Sequence, residues 1–575
     1  MKIKHLFGLA VIAAMAASCS SNEDLGTAGP GTGEAGVGYA TFTINLPSVS
    51  GTRAAGDPTM EEGDAKEYAV KSATALIFQK YGADEGSCKF VESVDLPTAA
   101  ADWTDDTTDG ITTTSKKLVA KLTNVDAKHQ YCVLVLLNNK TASGVKITLP
   151  SVGQSYNDWN NNAQIPTVTD LAAENDFYMA NAPLKGVDAS PTTLVTIDKD
   201  NIYPTKEKAE AGTSAATVYV ERGVAKISVT TPTDSKTVKD KAKDADTKST
   251  VKFDNWALDI TNQKTYAVHN IDGLSSDFND IWSTPRFLGT NGRVYWGKDP
   301  NYDKENLKKN DDTGDSERGT EFNFINNTSD INLAFGESTY CLENTFNLAN
   351  MYQGQTTRVI FKATYTPMDD EGNPLAEDDG TFYTIGNMTT ILNETKLKTA
   401  VDAVAKQVLP TGYSIDYTNI KGKGSHVITL EDIKDAGSTT LVADKDYNGK
   451  KGTQIVKEIN DKLGLTDGEG RAEAKVGINT YKHGVTYYIA RVKHFGSLTD
   501  WHSGESYGDN NKQYLGRYGM LRNNWYELTV GNVYGPGYPG VPPVDPTLPD
   551  DENEKYLSVS VKILSWAKRS DTVDL

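Results

Sequence analysis

The last twenty residues of the chain, YLSVSVKILSWAKRSDTVDL, carry a strand pattern that stands apart from what precedes it. Leu557, Val559, Val561 and Ile563 alternate with polar residues, which is typical of a half-buried β-strand. The preceding residues 536–554 are rich in proline and acidic side chains, and they predict an extended tether with a reach of roughly 60 Å. Because a lone strand can neither bury its apolar side nor satisfy its edge, this segment must join a sheet elsewhere.

A matching strand lies near the start of the chain. Its apolar residues recur at the same spacing of two and are Ala40, Phe42, Ile44 and Leu46. Arg53 follows in a loop of small residues that a protease could enter. If cleavage there removed the first strand, its sheet would expose an apolar groove, and the terminal strand of a second molecule could fill it by strand addition. The contact would be head-to-tail and would build a filament. The alternative is that the last strand folds back into its own domain.

Most of the chain is a succession of strand-like runs separated by turn clusters, and this predicts an all-β fold with a few short helices. A break near residue 217 divides the runs into two β-sandwich domains, residues 54–217 and 218–535, followed by the tether and terminal strand at 536–575. Helical spacing is confined to segments such as 394–409 and the stretch with Ile455, Ile459 and Leu463, for which Thr453 is the expected N-cap.

The first residues form a targeting segment. Two lysines precede an apolar stretch at 6–17, and small residues lead to Cys19 in the sequence AASC. This resembles a bacterial lipobox, in which the cysteine is acylated after cleavage of a signal peptide at residues 1–18. Ordinary signal-peptidase cleavage is the alternative, and both predict export. Residues 19–53 would then form a propeptide that includes the first strand.

Composition and motifs exclude several functions. With 58 basic and 77 acidic side chains, the formal charge is −19, which argues against nucleic acid as a partner. No nucleophile, phosphate-binding or zinc motif occurs, so no catalytic residue, metal ligand or cofactor is predicted and an enzyme is disfavoured. The acidic loops at 301–319 and 368–380 are interpreted as solvated hairpin tips.

Two weaker signals remain open. Asp444, Asp446 and Asn448 imitate the start of an EF-hand loop, but Ile455 occupies the position of the bidentate glutamate, so a turn is favoured over a weak calcium site. Three cysteines remain after Cys19, an odd number that is no disulfide framework. Cys132 lies in an apolar run and is expected in the core, and a bridge between Cys88 and Cys132 is not decided by the sequence.

The chain resembles the fimbrillins of the Bacteroidales type V pilus, in particular the stalk subunits of minor, Mfa-type fimbriae. The matching segments are AASC, LPSVSGTRAAGD around Arg53, VERGVAKISV, YCLENT, YYIARVKHF, RNNWYELTV and SWAKRSDTVDL. The resemblance implies two transthyretin-like β-sandwiches, lipidation (palmitate) at Cys19, and cleavage by an arginine-specific protease between Arg53 and Ala54. It also implies that residues 556–575 are a donor strand for the next subunit.

The leading hypothesis is therefore a structural stalk subunit that supports adhesion and biofilm formation. Its partners would be other copies of itself, accessory tip and anchor subunits, the processing protease, and the outer membrane through the lipid of the precursor. The mature protein would lie in an extracellular fimbrium. The alternative is a monomeric outer-membrane glycan-binding lipoprotein, which predicts no cleavage at Arg53 and a final strand folded within its own chain. A glycoside hydrolase is a third hypothesis, but the sequence singles out no pair of carboxylates for it.

Overall fold

The structure is a computed structural model. It describes residues 37–46, 60–61, 64–98, 104–108, 111–185, 190–232, 235–279, 287–288, 292–309, 316–345, 347–422, 424–468, 475–494, 514–550 and 557–566.

The strands of the N-terminal half are mostly short. They are β1 Gly38–Asn45, β2 Met60–Glu61, β3 Ala73–Gln79, β4 Lys89–Leu96, β5 Thr104–Thr108, β6 Ile111–Leu122, β7 Tyr131–Leu137, β8 Lys140–Thr141, β9 Gly144–Val145, β10 Ala172–Ala173, β11 Asp176–Phe177, β12 Met179–Asn181, β13 Leu184–Lys185, β14 Pro191–Thr192, β15 Val195–Thr196, β16 Ile202–Tyr203 and β17 Ala216–Arg222.

The C-terminal half contains the longest strand, β20. Its strands are β18 Ala225–Val229, β19 Lys236–Asp240, β20 Ala245–Asp259, β21 Thr261–Asn262, β22 Phe322–Asn323, β23 Ser338–Cys341, β24 Arg358–Thr366, β25 Phe382–Ile385, β26 Tyr413–Ile415, β27 Ser425–His426, β28 Ile433–Asp435, β29 Asp446–Tyr447, β30 Lys450–Lys451, β31 Ile478–Tyr481, β32 Val485–Arg491, β33 Asn524–Val533 and β34 Leu557–Trp566.

The helices are short apart from the last two. They are α1 Tyr156–Asn160, α2 Val168–Leu171, α3 Lys206–Ala211, α4 Leu274–Asp277, α5 Arg318–Glu321, α6 Glu394–Ala405 and α7 Gly452–Leu463. None of these described helices is long and apolar enough to cross a membrane.

The N-terminal sandwich is built on one strand that belongs to two sheets. The first part of β17 pairs with β1, and its last three residues pair with β12. The strand order is β4-β3-β7-β12-β17-β1-β6-β5. Phe42 of β1 and Phe78 of β3 belong to the same buried apolar cluster, which places the core between the two sheets.

The C-terminal sandwich follows the same principle. Its strand order is β2-β34-β33-β19-β20-β24-β32, and β18 joins β33 to β23. β19 links the two sheets because it pairs along β20 and also meets β33 at Val238. Trp256, Phe361 and Tyr526 lie fully buried in the core between them.

A small module is inserted between β24 and β32. α6 and α7 pack together with β25, β31 and β27 around an apolar cluster of their own. In α7 the predicted positions Ile455, Ile459 and Leu463 are all buried. The N-cap is Lys451 instead of the expected Thr453, because the hairpin of β29 and β30 ends there and the Gln454 side chain accepts from the Lys451 amide at 2.8 Å.

A buried charge cluster joins the two sandwiches. The carboxylate of Glu67 accepts from Lys226 Nζ at 2.7 Å and from the Tyr340 hydroxyl at 2.6 Å. Arg222 donates from Nε to the Glu67 carbonyl at 2.9 Å. The ammonium group of Lys226 also lies 3.8 Å from the ring centre of Trp525 on β33. Because Glu67 belongs to the N-terminal half and Trp525 to the C-terminal sandwich, this cluster fixes the two halves to each other.

The fold-class prediction of a mainly β protein with two sandwiches is confirmed. The interpretation of 301–319 as a solvated hairpin tip is wrong for part of the loop, because Tyr302, Leu307 and Arg318 are buried, although residues 303–305 are exposed. Tyr302 and Leu307 belong to an apolar cluster formed by loops of the C-terminal half. The loop at 368–380 does turn in solvent, since residues 370–374 are exposed and the Asp369 side chain caps the turn at Asn373.

Candidate functional site

The first described strand, β1, lies inside the N-terminal sandwich. It pairs along its whole length with β6 in antiparallel fashion, and its second half runs parallel to β17. Ala40, Phe42 and Ile44 are completely buried, and Leu46 just beyond the strand is 5% exposed. The four residues that the alternating pattern singled out thus share the core face.

The other face of β1 is covered as well. The hydroxyl of Thr41 donates to the Ala209 carbonyl of α3 at 2.7 Å, and Thr43 and Ser214 share a hydrogen bond of 2.7 Å. Asn45 donates to the Val218 carbonyl at 3.3 Å. A strand of alternating apolar and small hydroxyl residues therefore suits this position on both faces.

Removing β1 would leave a long apolar groove. Its walls would be β6 on one side and β16 followed by β17 on the other. Buried apolar residues of these strands are Leu118, Ala120, Leu122, Ala216 and Val218. Sequence reasoning identified both strands as runs but not as the walls of a groove, because nothing in a single sequence shows which strands flank β1.

The terminal strand, β34, pairs within its own chain in this structure. It runs antiparallel to β33, with Tyr526 opposite Ile563, Leu528 opposite Val561 and Val530 opposite Val559. Those three β33 residues are buried in the C-terminal core. On its other side β34 meets β2, where Met60 pairs with Ser565 and Glu61 with Trp566 in parallel. This backbone pairing agrees with the alternative hypothesis, in which the last strand folds back into its own domain.

The segment before β34 differs from the free tether expected from its composition. Tyr538 exchanges backbone hydrogen bonds of 2.9 and 2.7 Å with Tyr487 on β32, and the Tyr488 hydroxyl donates to Gly535. Further along, Arg358 donates to the Pro542 carbonyl at 2.6 Å while it holds Asp259. We call residues 535–550 the strap.

The strap stays in place because its backbone carbonyls find donors and its small residues permit close approach. A side chain on Gly537 would lie 2.0 Å from the Tyr487 carbonyl oxygen. At the far end, Asp550 is buried and its amide donates to Met351 at 3.2 Å. The described contacts of the strap therefore extend to Asp550.

Several predicted site residues lie outside the described part of the chain. They include the lipidation residue Cys19 and the cleavage pair Arg53 and Ala54. For Leu557, Val559, Val561 and Ile563 the structure gives the backbone pairing alone. The roles assigned to all of these residues stay predictions.

The weaker candidates have structural explanations. Asn448 and Gly449 form the turn between β29 and β30, where the Asp446 side chain accepts from the Gly449 amide at 2.8 Å. His494 is buried and hydrogen-bonded to Tyr526, whereas His483 is exposed near Asp379. Among the described residues, no three His, Cys, Asp or Glu side chains form a metal-binding group.

The three cysteines in the described part of the chain are free and buried. Cys132 lies in the core, as its apolar run predicted. The neighbouring thiol of Cys132, together with burial, raises the pKa of Cys88. The two thiols are therefore neighbours that are not bonded to each other in this structure.

One comparison concerns the C-terminal end of the chain. Residues 479–572 match the family model of the fimbrillin C-terminal region, described as major fimbrial subunit protein type IV. This part of the chain, which contains β32, β33, the strap and β34, is therefore similar to the C-terminal region of fimbrial subunits.

Two solved structures show similarity to this chain. One is a candidate cell-adhesion protein from Parabacteroides distasonis with 10% identity and a TM-score of 0.36, covering 92% of this chain and 98% of that one. Another is the tip fimbrial protein Mfa3 from Porphyromonas gingivalis with a C-terminal truncation, with 11% identity and a TM-score of 0.27, covering 92% and 100%. Likeness at this level carries no argument about function. Among curated proteins, none matches this chain.

Proposed function

We propose that this fimbrillin-type chain is a stalk subunit that polymerises by donor-strand exchange. It is exported as a lipoprotein acylated at Cys19, cleaved after Arg53, and joined head-to-tail with other copies when β34 of one subunit replaces β1 of the next. Adhesion and biofilm formation follow from display of the polymer at the cell surface. Accessory tip and anchor subunits would complete the fimbrium.

The observation that carries the proposal is the position of β1. This strand fills the interior of a sheet, yet it precedes Arg53, so cleavage there would cut its covalent link to the rest of the chain. Burial of Phe42, Ile44 and Leu46 contributes about 5–9 kcal/mol at roughly 1.5–3 kcal/mol for each side chain. A subunit that has lost β1 is therefore stabilised considerably when another strand fills the groove.

The sequence of β34 suits the vacated groove. It has ten residues against the eight of β1, with four aliphatic residues at a spacing of two. The alternate positions include Ser558 and Ser560, which would stand where Thr41 and Thr43 contact α3 and its neighbouring loop. β34 thus has the same two features as β1. It has apolar residues that can enter the core and small hydroxyl residues for the outer face.

The pairing of β34 with β33 within one chain is compatible with exchange. Leaving β33 breaks one antiparallel ladder, and entering the groove of the next subunit forms another. The strap would stay on its own subunit, so the exchanging part begins after Asp550. The alternative of a monomeric glycan-binding lipoprotein draws support from the same pairing, because it keeps β34 where the structure has it.

One experiment separates the two. Purified precursor without its signal peptide is digested with an arginine-specific protease, the new N-terminus is mapped, and assembly is followed by gel electrophoresis and electron microscopy. Stalk polymerisation predicts a start at Ala54 and ladders or filaments that are absent from a chain ending at Glu554 and from the Arg53→Gln variant. Cleaved protein that stays monomeric with or without its last strand would support the alternative.

A further inference from the structure

The pairing of β2 with β34 points to a control that acts on the donor strand. β2 contains the residues Met60 and Glu61, which lie between the predicted cleavage site and the first buried residues of the mature chain. In the sheet order β2-β34-β33, β2 pairs with the last two residues of β34, Ser565 and Trp566, on the side opposite β33. The precursor thus holds the end of its own donor strand between two neighbours.

Along the chain, β2 lies between two segments that are anchored in the structure. On its N-terminal side, residues 46–59 connect it to β1, which is tied along its length to β6. On its C-terminal side, Glu67 is fully buried and paired with Lys226, and its Oε2 also accepts from the Asp64 amide at 2.9 Å. A pairing of two residues has little stability by itself, so it depends on these two attachments to restrict the chain.

We infer that β2 is a latch that retains the donor strand in the precursor, and that cleavage after Arg53 both opens the acceptor groove and releases this latch. After the cut, β2 stays attached through Glu67 but its other end is free, so ordering it against β34 costs more conformational entropy. The end of β34 is then held by β33 alone, and the strand opens more readily from this end. The inference rests on the proposed function, since it concerns when the donor becomes available.

This latch would prevent the precursor from donating its terminal strand too early. A precursor whose donor strand is already loose would offer it to any open groove or edge before its own groove is ready. With β2 in place, a single proteolytic event makes donor and acceptor competent together. The anchored strap confines the released part to the residues after Asp550.

The test separates latch release from groove opening. In the uncleavable Arg53→Gln precursor, the substitutions Met60→Pro and Glu61→Pro remove the amides that β2 can offer, while β1 stays in place. Hydrogen exchange is then followed by mass spectrometry in the peptide covering residues 557–566. The matched control carries Ala54→Pro and Ala55→Pro in the same connecting segment, outside β2.

The latch predicts that exchange in 557–566 accelerates about tenfold or more in the β2 variant but not in the control. Exchange in β6 and β33 peptides reports whether the two sandwiches remain folded, and a milder Met60→Gly, Glu61→Gly variant serves if the proline variant unfolds. Unchanged exchange of 557–566 in a folded β2 variant would overturn the latch.

The outcome is independent of the polymerisation assay. If wild-type protein cleaved at Arg53 forms filaments but the β2 variant shows no acceleration, the latch is wrong and the proposed function stands. If exchange accelerates while cleaved protein never assembles, β2 does restrain β34 but the chain does not polymerise, and the proposed function fails instead.

Discussion

At the scale of single residues, the buried ion pair of Glu67 and Lys226 links the two halves of the chain. Its partners come from segments that are far apart in sequence, and each charge lies away from solvent. Such a pair tolerates the loss of one member poorly, because the other charge then remains buried without its counter-ion. It also anchors the segment that follows the predicted cleavage site.

We expect Glu67→Gln to lower the free energy of unfolding by about 3–5 kcal/mol, because it removes the carboxylate charge opposite Lys226. Urea unfolding of the precursor measures the effect. Glu174→Gln is the matched control, since its pair with Lys66 is exposed and should contribute less than about 1 kcal/mol. Equal small effects of both substitutions would show that the buried pair does not hold the halves together.

A second residue, Glu85, predicts how stability depends on pH. Burial raises the pKa of its carboxyl group to about 7, although the amides of Leu194 and Thr193 donate to it. Since the pKa is higher in the folded chain than in the unfolded chain, the folded state binds more protons between about pH 4.5 and 7. Stability should therefore fall as the pH rises through this range, by up to about 3 kcal/mol.

The substitution Glu85→Gln tests this, because a glutamine carbonyl can accept the same two amides without titrating. We expect thermal unfolding of the variant to lose this part of the pH dependence between pH 5 and 8 and to gain stability at pH 8. Asp84→Asn, at an exposed neighbouring position, should change the pH profile far less, because the charge of Asp84 contributes less than burial to the raised pKa of Glu85. A Glu85→Gln profile that follows the wild type would contradict the assignment.

At the scale of elements, the alternating patterns predicted the strands well. β1 and β34 lie where apolar residues recur at a spacing of two, and α6 and α7 lie where helical spacing was found. The prediction failed where tertiary contacts override composition. The strap is proline-rich and polar, yet Tyr538, Val541 and Val544 pack against the C-terminal half. Apolar residues within a proline-rich segment were the available signal.

Phe42 gives a test of what β1 does before and after cleavage. Replacing it by alanine should destabilise the precursor by about 3–5 kcal/mol, because it empties a fully buried site. After cleavage and assembly the same substitution should have no effect, because β1 has left and the donor strand occupies its place. Thermal unfolding of precursor and of assembled material compares the two states.

The matched substitution is Thr43→Ala on the outer face of β1, which should cost the precursor about 1 kcal/mol through its bond to Ser214. If Phe42→Ala weakens the assembled form as much as the precursor, β1 has stayed in the mature subunit and the exchange scheme is wrong.

At the scale of the whole molecule, strand pairing connects the two ends of the chain, and the sequence does not reveal this pairing. β1 belongs to the first sandwich and β34 to the second, and β2 connects them through a pairing of two residues. The alternation of apolar and polar residues in both terminal strands could be predicted from the sequence, and so could the organisation into two sandwiches. The walls of the groove, the latch and the cluster around Glu67 could not, because they depend on which distant strands become neighbours.

The central claim is that β34 of one subunit replaces β1 of the next. The most direct measurement is a cryo-electron microscopy structure of filaments assembled from precursor cleaved at Arg53. The account predicts that residues 557–566 lie between β6 and β17 of the neighbouring subunit, with the strap still on its own subunit and no density for residues 38–46. Filaments in which residues 557–566 remain paired with β33 of their own chain, or in which β1 keeps its place, would contradict it.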